Sequence, residues 1–325
     1  LPSRSRFRPV QRLQDRVAVV TGAGSGIGRA TALALAGRGC HVAVVDVSAE
    51  RAESTAAEVR VLGRDASTHV VDVTDADAVA ALPAAVLDAH GACHVLVNNA
   101  GVTAAGSFEE ESLDDLRWIV GINVWGVVHG CKAFLPVLRE ADEAHIVNLS
   151  SMVGLVGLPH NVSYSLTKGA VRAFTEALRS ELVTTRIGVT TVLPGAIRTD
   201  ITNTARGSHA AKLATMGQSR LALLAMRPPA AVARKIVRAI EHDRARVLVG
   251  PDAWAVDLLA RIVPGRSGLV GRVTSRIAPC RRGQDHITQR ARQVIPVSAC
   301  GSGVADPELS AGRSGRAPSP SARRP

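Results

Sequence analysis

The chain has 325 residues, of which 46% are apolar and only 2% aromatic, so a core built from Ala, Val, Leu and Ile is expected. This composition excludes a largely disordered chain. The formal net charge of +11 would suggest a nucleic-acid partner if it covered one face, but residues 1–14 carry +4 and residues 276–325 carry +6. The part between them is close to neutral, so no nucleic-acid-binding domain is expected.

The five cysteines are odd in number, and none has the spacing of a metal-binding or redox pair. We interpret them as reduced, packed thiols of a cytoplasmic protein and expect no metal site. The arginines near the N-terminus precede no apolar run, so no export signal is predicted. No transmembrane segment is predicted either, because no uncharged apolar stretch approaches the required length of about 18 to 20 residues.

From Val17 onwards, short β-branched runs alternate with longer Ala-rich amphipathic stretches, which is typical of βαβ units. The fold class predicted is α/β, a Rossmann-like doubly wound sheet of seven parallel strands flanked by helices. The predicted strands are 17–21, 41–46, 68–72, 94–98, 144–149, 188–193 and 247–249. The predicted helices are 26–38, 49–62, 76–90, 113–135, 162–186 and 229–242, and Pro136 is expected to end the fourth of them.

Four regions are predicted along the chain. A basic tail (1–14) precedes a single domain (15–250), and an amphipathic helical extension (251–279) precedes a second basic tail (280–325) that lacks apolar periodicity and is expected to be disordered. Within residues 252–275 the apolar side chains recur at helical spacing until Pro264. This pattern favours a helix that caps the domain or forms a subunit interface over one that contacts a membrane surface.

A glycine-rich turn, Thr21 to Gly28, follows the first predicted strand and opens a helix. Glycines allow a tight turn and the close approach of a pyrophosphate, whose charge then lies at the positive end of the helix. Such a turn is a weak signal alone, and its position between a strand and a helix strengthens it.

The second predicted strand ends at Asp46, where a dinucleotide fold presents the residue that recognises the adenosine ribose. A carboxylate accepts hydrogen bonds from the ribose diol and repels a 2′-phosphate. The position therefore favours NAD over NADP, although Arg29 lies nearby in the sequence.

Tyr164 is the only tyrosine in the chain, and Lys168 is one of four lysines against 35 arginines. Their i, i+4 spacing places both on one face of a helix. A phenol has a pKa of about 10, and a neighbouring ammonium favours the phenolate. The pair therefore indicates proton transfer by Tyr164, with a pKa lowered by Lys168.

Six short motifs occur together in one order. They are Thr21–Gly28, Asn98–Gly101, Asn123–Gly126, Ser150–Ser151, Tyr164–Lys168 and Pro194–Thr199. Over about residues 15–250 the chain closely resembles the classical short-chain dehydrogenases/reductases. The resemblance implies an NAD-dependent oxidoreductase that moves a hydride between nicotinamide and a secondary alcohol or ketone, assembled as a homodimer or homotetramer. Two departures are visible. The family usually has Ser before the catalytic lysine, whereas this chain has Thr167, and the extension past about residue 250 is not part of the family pattern.

The resemblance also implies a role for each matching residue. Tyr164 would be the general acid/base, Lys168 would bind the nicotinamide ribose, Ser151 would bond the reacting oxygen, and Asn123 would hold a water of the proton relay. Asn98 would be structural. The implied cofactor contacts are Gly22, Ser25, Gly26, Ile27, Gly28, Asp46, Asp72, Val73, Asn99, Ala100, Gly101, Tyr164, Lys168, Pro194, Gly195, Ile197 and Thr199.

Two other functions are considered on the same fold, and the NAD(P)-sensing regulator is kept as the alternative. An NAD(P)-sensing regulator would have no use for Ser151, Tyr164 and Lys168 together, and a Rossmann-like methyltransferase would not explain the Tyr-Lys pair. The small-molecule substrate is expected to meet the segments after the fifth and sixth strands, Val153–His160 and Ile201–Met226, which are rich in Val, Leu and Met. We therefore expect a lipophilic substrate, steroid-like or acyl-chain-bearing. His160 is a weaker candidate for substrate contact.

Overall fold

Seven strands form one parallel sheet in the order β3-β2-β1-β4-β5-β6-β7 in the computed structural model. Its description covers Val10, residues 12–202, 204–211, Thr215 and residues 226–263. The strands are β1 (Val17–Thr21), β2 (His41–Asp46), β3 (Ala66–Val70), β4 (Val95–Asn98), β5 (Ala144–Leu149), β6 (Ile187–Pro194) and β7 (Arg246–Val249). The predicted α/β doubly wound fold is thereby confirmed.

Helices cover both faces of this sheet. They are α1 (Gly26–Ala36), α2 (Ala49–Val61), α3 (Ala76–His90), α4 (Leu113–Val120), α5 (Gly126–Glu140), α6 (Val162–Glu181), α7 (Pro229–Glu241) and α8 (Pro251–Ile262). A π-helical turn, Gly121–Trp125, joins α4 to α5, and short 3₁₀ turns lie at Met152–Gly154 and Asp200–Thr202.

The strands are apolar throughout because each lies between two helical layers. In β1, Val17 and Val19 pack into one core, while Ala18 and Val20 pack into the core on the opposite face. Alternate side chains of a strand point to opposite faces, so a doubly covered strand buries both sets. This is why the strands read as continuous apolar runs.

Three sequence-based boundaries are wrong. The helix predicted over 162–186 ends at Glu181, because the chain turns at the buried Leu182 to enter β6. The third strand is Ala66–Val70 and not 68–72; it lies at the sheet edge, where its polar, partly exposed residues give no buried pattern to set the register. Pro136 lies inside α5, which continues to Glu140. Proline removes one helical hydrogen bond, but Phe134 and Leu138 are fully buried on either side of it, and their packing keeps the helix intact.

The helical segment Leu113–Glu140 is apolar and long enough, by length and composition alone, to span a membrane, contrary to the expectation from the sequence. Its position in the fold gives another reason for that composition. Val127, Cys131, Phe134 and Leu138 of this segment are buried in the core between the sheet and the helices of one face. A helix buried in a protein core can have the same length and apolar composition as a membrane span.

Three cysteines, Cys40, Cys93 and Cys131, are free and buried. Burial raises the pKa of each thiol to about 12, so all three are protonated and packed, as expected. Cys280, Cys300 and the tail 280–325 lie outside the described residues, as does nearly all of the tail 1–14.

The strand order reverses between β1 and β4, since β2 and β3 continue to one side of β1 and β4 to β7 to the other. The connections that leave β1 and β4 therefore cross to opposite sides of the sheet and open a crevice at the carboxyl ends of these strands. Ligands of open α/β sheets bind at such a position.

Candidate active site

The glycine turn lies at this crevice, and its backbone approaches the chain after β4 closely. Gly22 and Gly26 have positive φ values of 62° and 52°. A Cβ added to Gly28 would lie 2.1 Å from the carbonyl oxygen of Gly22. Ser25 caps α1 without a side-chain capping bond, so the amide groups at the start of the helix stay directed towards the crevice. The turn thus has the shape and polarity to hold a pyrophosphate.

Asp46 lies at the end of β2 and is almost fully buried. Its carboxylate accepts hydrogen bonds from the amides of Gly24 at 2.9 Å and Ser48 at 3.0 Å. It also accepts one from the Arg51 guanidinium at 3.1 Å. Arg29, whose nearness in the sequence weakened the expectation of NAD over NADP, is paired with Glu58 instead. Arg51 was missed, and its i+5 position after Asp46, in the first turn of α2, was the available signal.

Two further residues predicted to contact the cofactor, Asp72 and Asn99, also lie at this edge of the sheet. Asp72 accepts hydrogen bonds from the amide and hydroxyl of Thr74, both at 2.9 Å, which fixes the turn after β3. Asn99 donates through its side chain to the carbonyls of Thr21 at 2.9 Å and Gly22 at 3.2 Å. These bonds tie the chain after β4 to the glycine turn.

Three more residues singled out from the sequence, Val73, Gly101 and Asn98, each have a different environment in the structure. Val73 is buried against Gly126 at the start of α5. A Cβ added to Gly101 would lie 3.3 Å from the Lys168 ammonium, so the backbone passes close beneath that group. Asn98 donates to the side chain of Asn148 at 2.8 Å and so bridges β4 and β5, which agrees with a structural role.

Ser151, Tyr164 and Lys168 meet beyond the carboxyl end of β5. Lys168 lies one helical turn after Tyr164 on α6, and its ammonium nitrogen is 5.8 Å from the centre of the Tyr164 ring. Ser151 lies close enough to the Tyr164 phenol to lower its pKa. Ser150 donates instead to the Lys168 carbonyl at 2.7 Å. Geometry therefore separates the two serines and places Ser151 at the phenol.

The pKa of Tyr164 differs from the sequence expectation. Burial raises it to about 12, and the neighbouring Ser151 side chain offsets only part of this effect. Lys168 does not reverse it, because its ammonium donates to the Leu149 carbonyl at 2.9 Å and burial lowers its own pKa to about 8. In the protein alone Tyr164 is thus the protonated acid near neutral pH.

Asn123 lies in the π-helical turn between α4 and α5 and is fully buried. Its side-chain amide bonds both the N–H and the C=O of Val102, at 2.8 and 2.9 Å. It also donates to the Thr167 hydroxyl at 3.1 Å, and that hydroxyl donates to the Tyr164 carbonyl at 2.9 Å. The threonine before Lys168 thus supplies a hydroxyl that links Asn123 to the helix of the catalytic pair. π-turns inside helices often occur at functional sites.

The loop after β6 closes the site from the other side. Pro194 accepts a long hydrogen bond, 3.5 Å, from Ser151. Ile197 packs partly buried on the core, and the methyl of Thr199 would lie 3.3 Å from a Cβ added to Gly26. The loop therefore lies against the glycine turn, where a nicotinamide carboxamide is expected.

Asp252 fixes this loop and was not identified from the sequence. Its carboxylate accepts the Ala196 amide at 2.5 Å and fills the space that a side chain at Gly195 would take. An acid in the first turn of a helix was its only signal.

His160 is an exposed loop residue with a positive φ of 61°. Its ring lies 4.8 Å from that of His209, and its carbonyl accepts the Gly106 amide at 3.0 Å. Of the predicted substrate-facing segments, Val153–His160 is described. Most of Ile201–Met226 lies outside the described residues, including Leu213, Met216 and Leu221.

The chain matches the family description "short chain dehydrogenase" over residues 16–210. It is 39% identical to a provisionally named oxidoreductase, SadH of Mycobacterium tuberculosis, over 77% of this chain and 91% of that one. It is 38% identical to 2,5-dichloro-2,5-cyclohexadiene-1,4-diol dehydrogenase LinX of Sphingobium indicum, over 59% of this chain and 76% of that one. A crystal structure of a short chain dehydrogenase/reductase from Burkholderia phymatum in complex with NAD superposes with a TM-score of 0.71 at 33% identity, covering 77% of this chain and 94% of that one.

The family match over residues 16–210 includes the glycine turn, the Tyr164–Lys168 pair and the first six strands of the sheet. The motif order, the observed fold and the family match agree with one another. The chain is an oxidoreductase of the short-chain dehydrogenase/reductase family.

Proposed function

We propose that this protein is an NAD-dependent dehydrogenase or reductase that acts on a secondary alcohol or ketone, with a preference for lipophilic substrates. The observation that carries the proposal is the meeting of Ser151, Tyr164 and Lys168 beside the glycine turn that starts at the end of β1. A regulator that only senses a dinucleotide would have no use for a half-buried tyrosine, a serine beside it and a buried lysine at one point.

The residues of the crevice fit a nicotinamide dinucleotide. The glycine turn packs at backbone distance, since a Cβ at Gly22 would meet Ala100 and one at Gly28 would meet the Gly22 carbonyl, and Asp46 presents a buried carboxylate at the end of β2. The bound cofactor supplies the hydride chemistry. The NAD-bound Burkholderia relative supports this cofactor class.

The chain's own residues would hold the substrate oxygen and move its proton. Tyr164, protonated near neutral pH, would donate its proton to the carbonyl oxygen during reduction. In oxidation the phenol would first lose its proton to solvent, and the resulting phenolate would accept the proton of the substrate hydroxyl. Ser151, which lies beside the phenol, would hold the same oxygen. Lys168 would contact the ribose, with Asn123 and Thr167 positioning its helix turn.

The first prediction separates the proton step from cofactor binding. Tyr164→Phe should lower turnover by at least about a hundredfold and leave NAD affinity nearly unchanged, because only the phenol oxygen is lost. Lys168→Ala should weaken both, while Lys132→Ala, on the exposed face of α5, should change neither. Calorimetric titration with NAD and steady-state assays test this. A fully active Phe variant would contradict the proposed role.

The second prediction uses the buried lysine. Because its pKa falls from 10.5 to about 8 on folding, the unfolded chain binds the proton more strongly between these values. Stability therefore rises with pH in that window. The free energy of unfolding of the wild type should rise relative to that of Lys168→Met between about pH 8 and pH 10. Urea unfolding across this range measures the difference.

The control for this experiment is Lys132→Met, which should show a flat difference from the wild type. The raised pKa of Tyr164 acts above about pH 10 with the opposite sign, and it is common to the proteins compared. A flat difference for Lys168→Met as well would mean that Lys168 titrates as an ordinary exposed lysine.

NAD is proposed over NADP because Asp46 is buried at the ribose position and would repel a 2′-phosphate. Arg51 complicates this preference, since its half-exposed guanidinium lies next to the same carboxylate. While Arg51 is paired with Asp46, its charge is neutralised. Without Asp46 it would be free to bind a phosphate.

The third prediction follows from that ion pair. Asp46→Ala should raise catalytic efficiency with NADP by about tenfold or more, because a charge-assisted hydrogen bond is worth about 1.5–3 kcal/mol. Asp46→Ala combined with Arg51→Ala should lose most of this gain. Efficiencies with both cofactors and thermal melting, to control for folding, test it. If the wild type used NADP as well as NAD, the proposed preference would fail.

The lipophilic preference rests on the segment after β5. Val153 and Val156 of that segment are buried, while Leu155 packs with Met152 against Leu193 and Ala253 near the start of α8. The name of LinX, a dehydrogenase of a chlorinated cyclohexadiene diol, gives further support for a substrate with an apolar ring.

The fourth prediction concerns chain length. Each methylene buried contributes about 0.8 kcal/mol, so efficiency should rise roughly fourfold per carbon along a series of 2-alkanols or 2-alkanones until the pocket is full. Polyols and anionic hydroxy acids serve as the comparison set. If the best of them outperformed every lipophilic compound, the substrate class would be wrong, although the reaction type could stand.

A further inference from the structure

Helix α8 presents its apolar side chains outward. Trp254, Leu258 and Ile262 are exposed to 60%, 58% and 68%, at successive i, i+4 positions. The residues that face the protein are Ala253 and Asp257, which are 0% and 7% exposed. A helix that merely covers a domain has the reverse arrangement, with its apolar side packed inward.

The inward side is held by charge instead. Asp257 accepts hydrogen bonds from Arg246 of β7 at 2.6 Å and from Arg261 at 3.0 Å. At the start of the helix, Asp252 is bound to the Ala196 amide. The contacts with Arg246 and Ala196 fix α8 against the sheet and leave its apolar stripe exposed. The exposed residues of the helix are Pro251, Trp254, Ala255, Leu258, Leu259, Arg261 and Ile262.

Cationic groups border this stripe. Arg246 and Arg261 line one surface cavity together with Leu248, Trp254 and Leu258. Lys235 of α7 donates to the Leu248 carbonyl at 2.7 Å. Arg244 and Arg227 lie close enough to Lys235 to lower its pKa further, after the larger effect of burial. Arg246 and Arg261 thus border the apolar surface, and with their shared partner Asp257 they leave one net positive charge beside it.

The sequence continues the same pattern. Residues 264–325, which follow directly after the described part of α8 and Val263, contain 11 arginines and three acidic residues. Both copies of a dimer would carry this net positive charge, so like-charge repulsion opposes a second copy as the occupant of the stripe. An anionic lipid surface attracts the basic residues, and it also accepts a stripe of Trp, Leu and Ile at the boundary between headgroups and acyl chains.

We propose that the outward face of α8, defined by Trp254, Leu258 and Ile262, docks on an anionic lipid bilayer, with the bordering basic residues at the headgroups. The helix lies in the surface plane and does not cross the membrane. Because α8 begins at the Asp252–Ala196 contact, docking would place the membrane beside the loop that closes the active site.

Flotation of the full chain with vesicles tests the proposal. Phosphatidylcholine vesicles are compared with vesicles that also contain phosphatidylglycerol, at low and high salt. The test variant is Leu258→Glu with Ile262→Glu. The matched control is Val61→Glu with Val183→Glu, which adds the same charge at exposed apolar positions elsewhere. Circular dichroism and thermal melting check that both variants fold.

We expect the wild type and the control to float with the anionic vesicles in a salt-sensitive way, and the test variant to bind at least about tenfold more weakly. Equal flotation of the test variant and the control would overturn the proposal, because the basic segments alone would then explain binding. Failure of the wild type to float would also overturn it. If light scattering then showed that the test variant splits an oligomer, the face would be an interface between copies.

Fluorescence gives a second readout that does not depend on the folding of the double variant. Vesicles with brominated acyl chains should quench the wild-type tryptophan emission, and Trp254→Phe should lose that quenching while Trp118 and Trp125 still emit. Quenching that persists in Trp254→Phe would place the contact elsewhere.

Discussion

The close approach between the turn after β1 and the chain after β4 is the constraint on which the site depends. Gly28 packs with only a hydrogen towards the Gly22 carbonyl, and Asn99 bonds that turn through its side chain. Any larger side chain at Gly28 would push the start of α1 away from the sheet. The crevice at the strand reversal therefore exists because two loops from neighbouring strands pack at backbone distance.

The catalytic side chains are held by a network of buried polar groups, which is costly unless every member is bonded. Thr167 connects the Asn123 amide to the Tyr164 carbonyl, and Ser150 bonds the Lys168 carbonyl. Lys168 is itself bonded to Leu149. The same burial that fixes these groups shifts both pKa values, up for Tyr164 and down for Lys168. Positioning and proton affinity thus have one physical origin.

Helix α8 belongs to the active site through its first turn and to the surface through its last two turns. Asp252 holds the loop after β6, whereas Trp254, Leu258 and Ile262 point away from the protein. The ion pair between the buried Asp257 and Arg246 of β7 makes this possible, because it anchors the helix without using its outward apolar residues. The chemistry of the inward face explains why an apolar outer face is compatible with a stable fold.

The sequence by itself determined the fold class, six of the seven strands to within one residue and the family, because buried parallel strands and a fixed set of motifs leave a strong linear signal. It also identified the Tyr164–Lys168 pair, since i, i+4 spacing on a helix is a local property, and it chose Ser151 over Ser150. The predicted bounds of the edge strand β3 and the predicted end of a helix at Pro136 were wrong, because tertiary packing decides both.

Only the tertiary structure decided which charges meet. Arg51 pairs with Asp46, and Asp252 reaches Ala196 from 56 residues along the chain. The raised pKa of Tyr164 follows from burial, which no spacing in the sequence reports. The outward direction of the apolar residues of α8 was likewise hidden, since periodicity shows that a helix has an apolar face but not which way that face points.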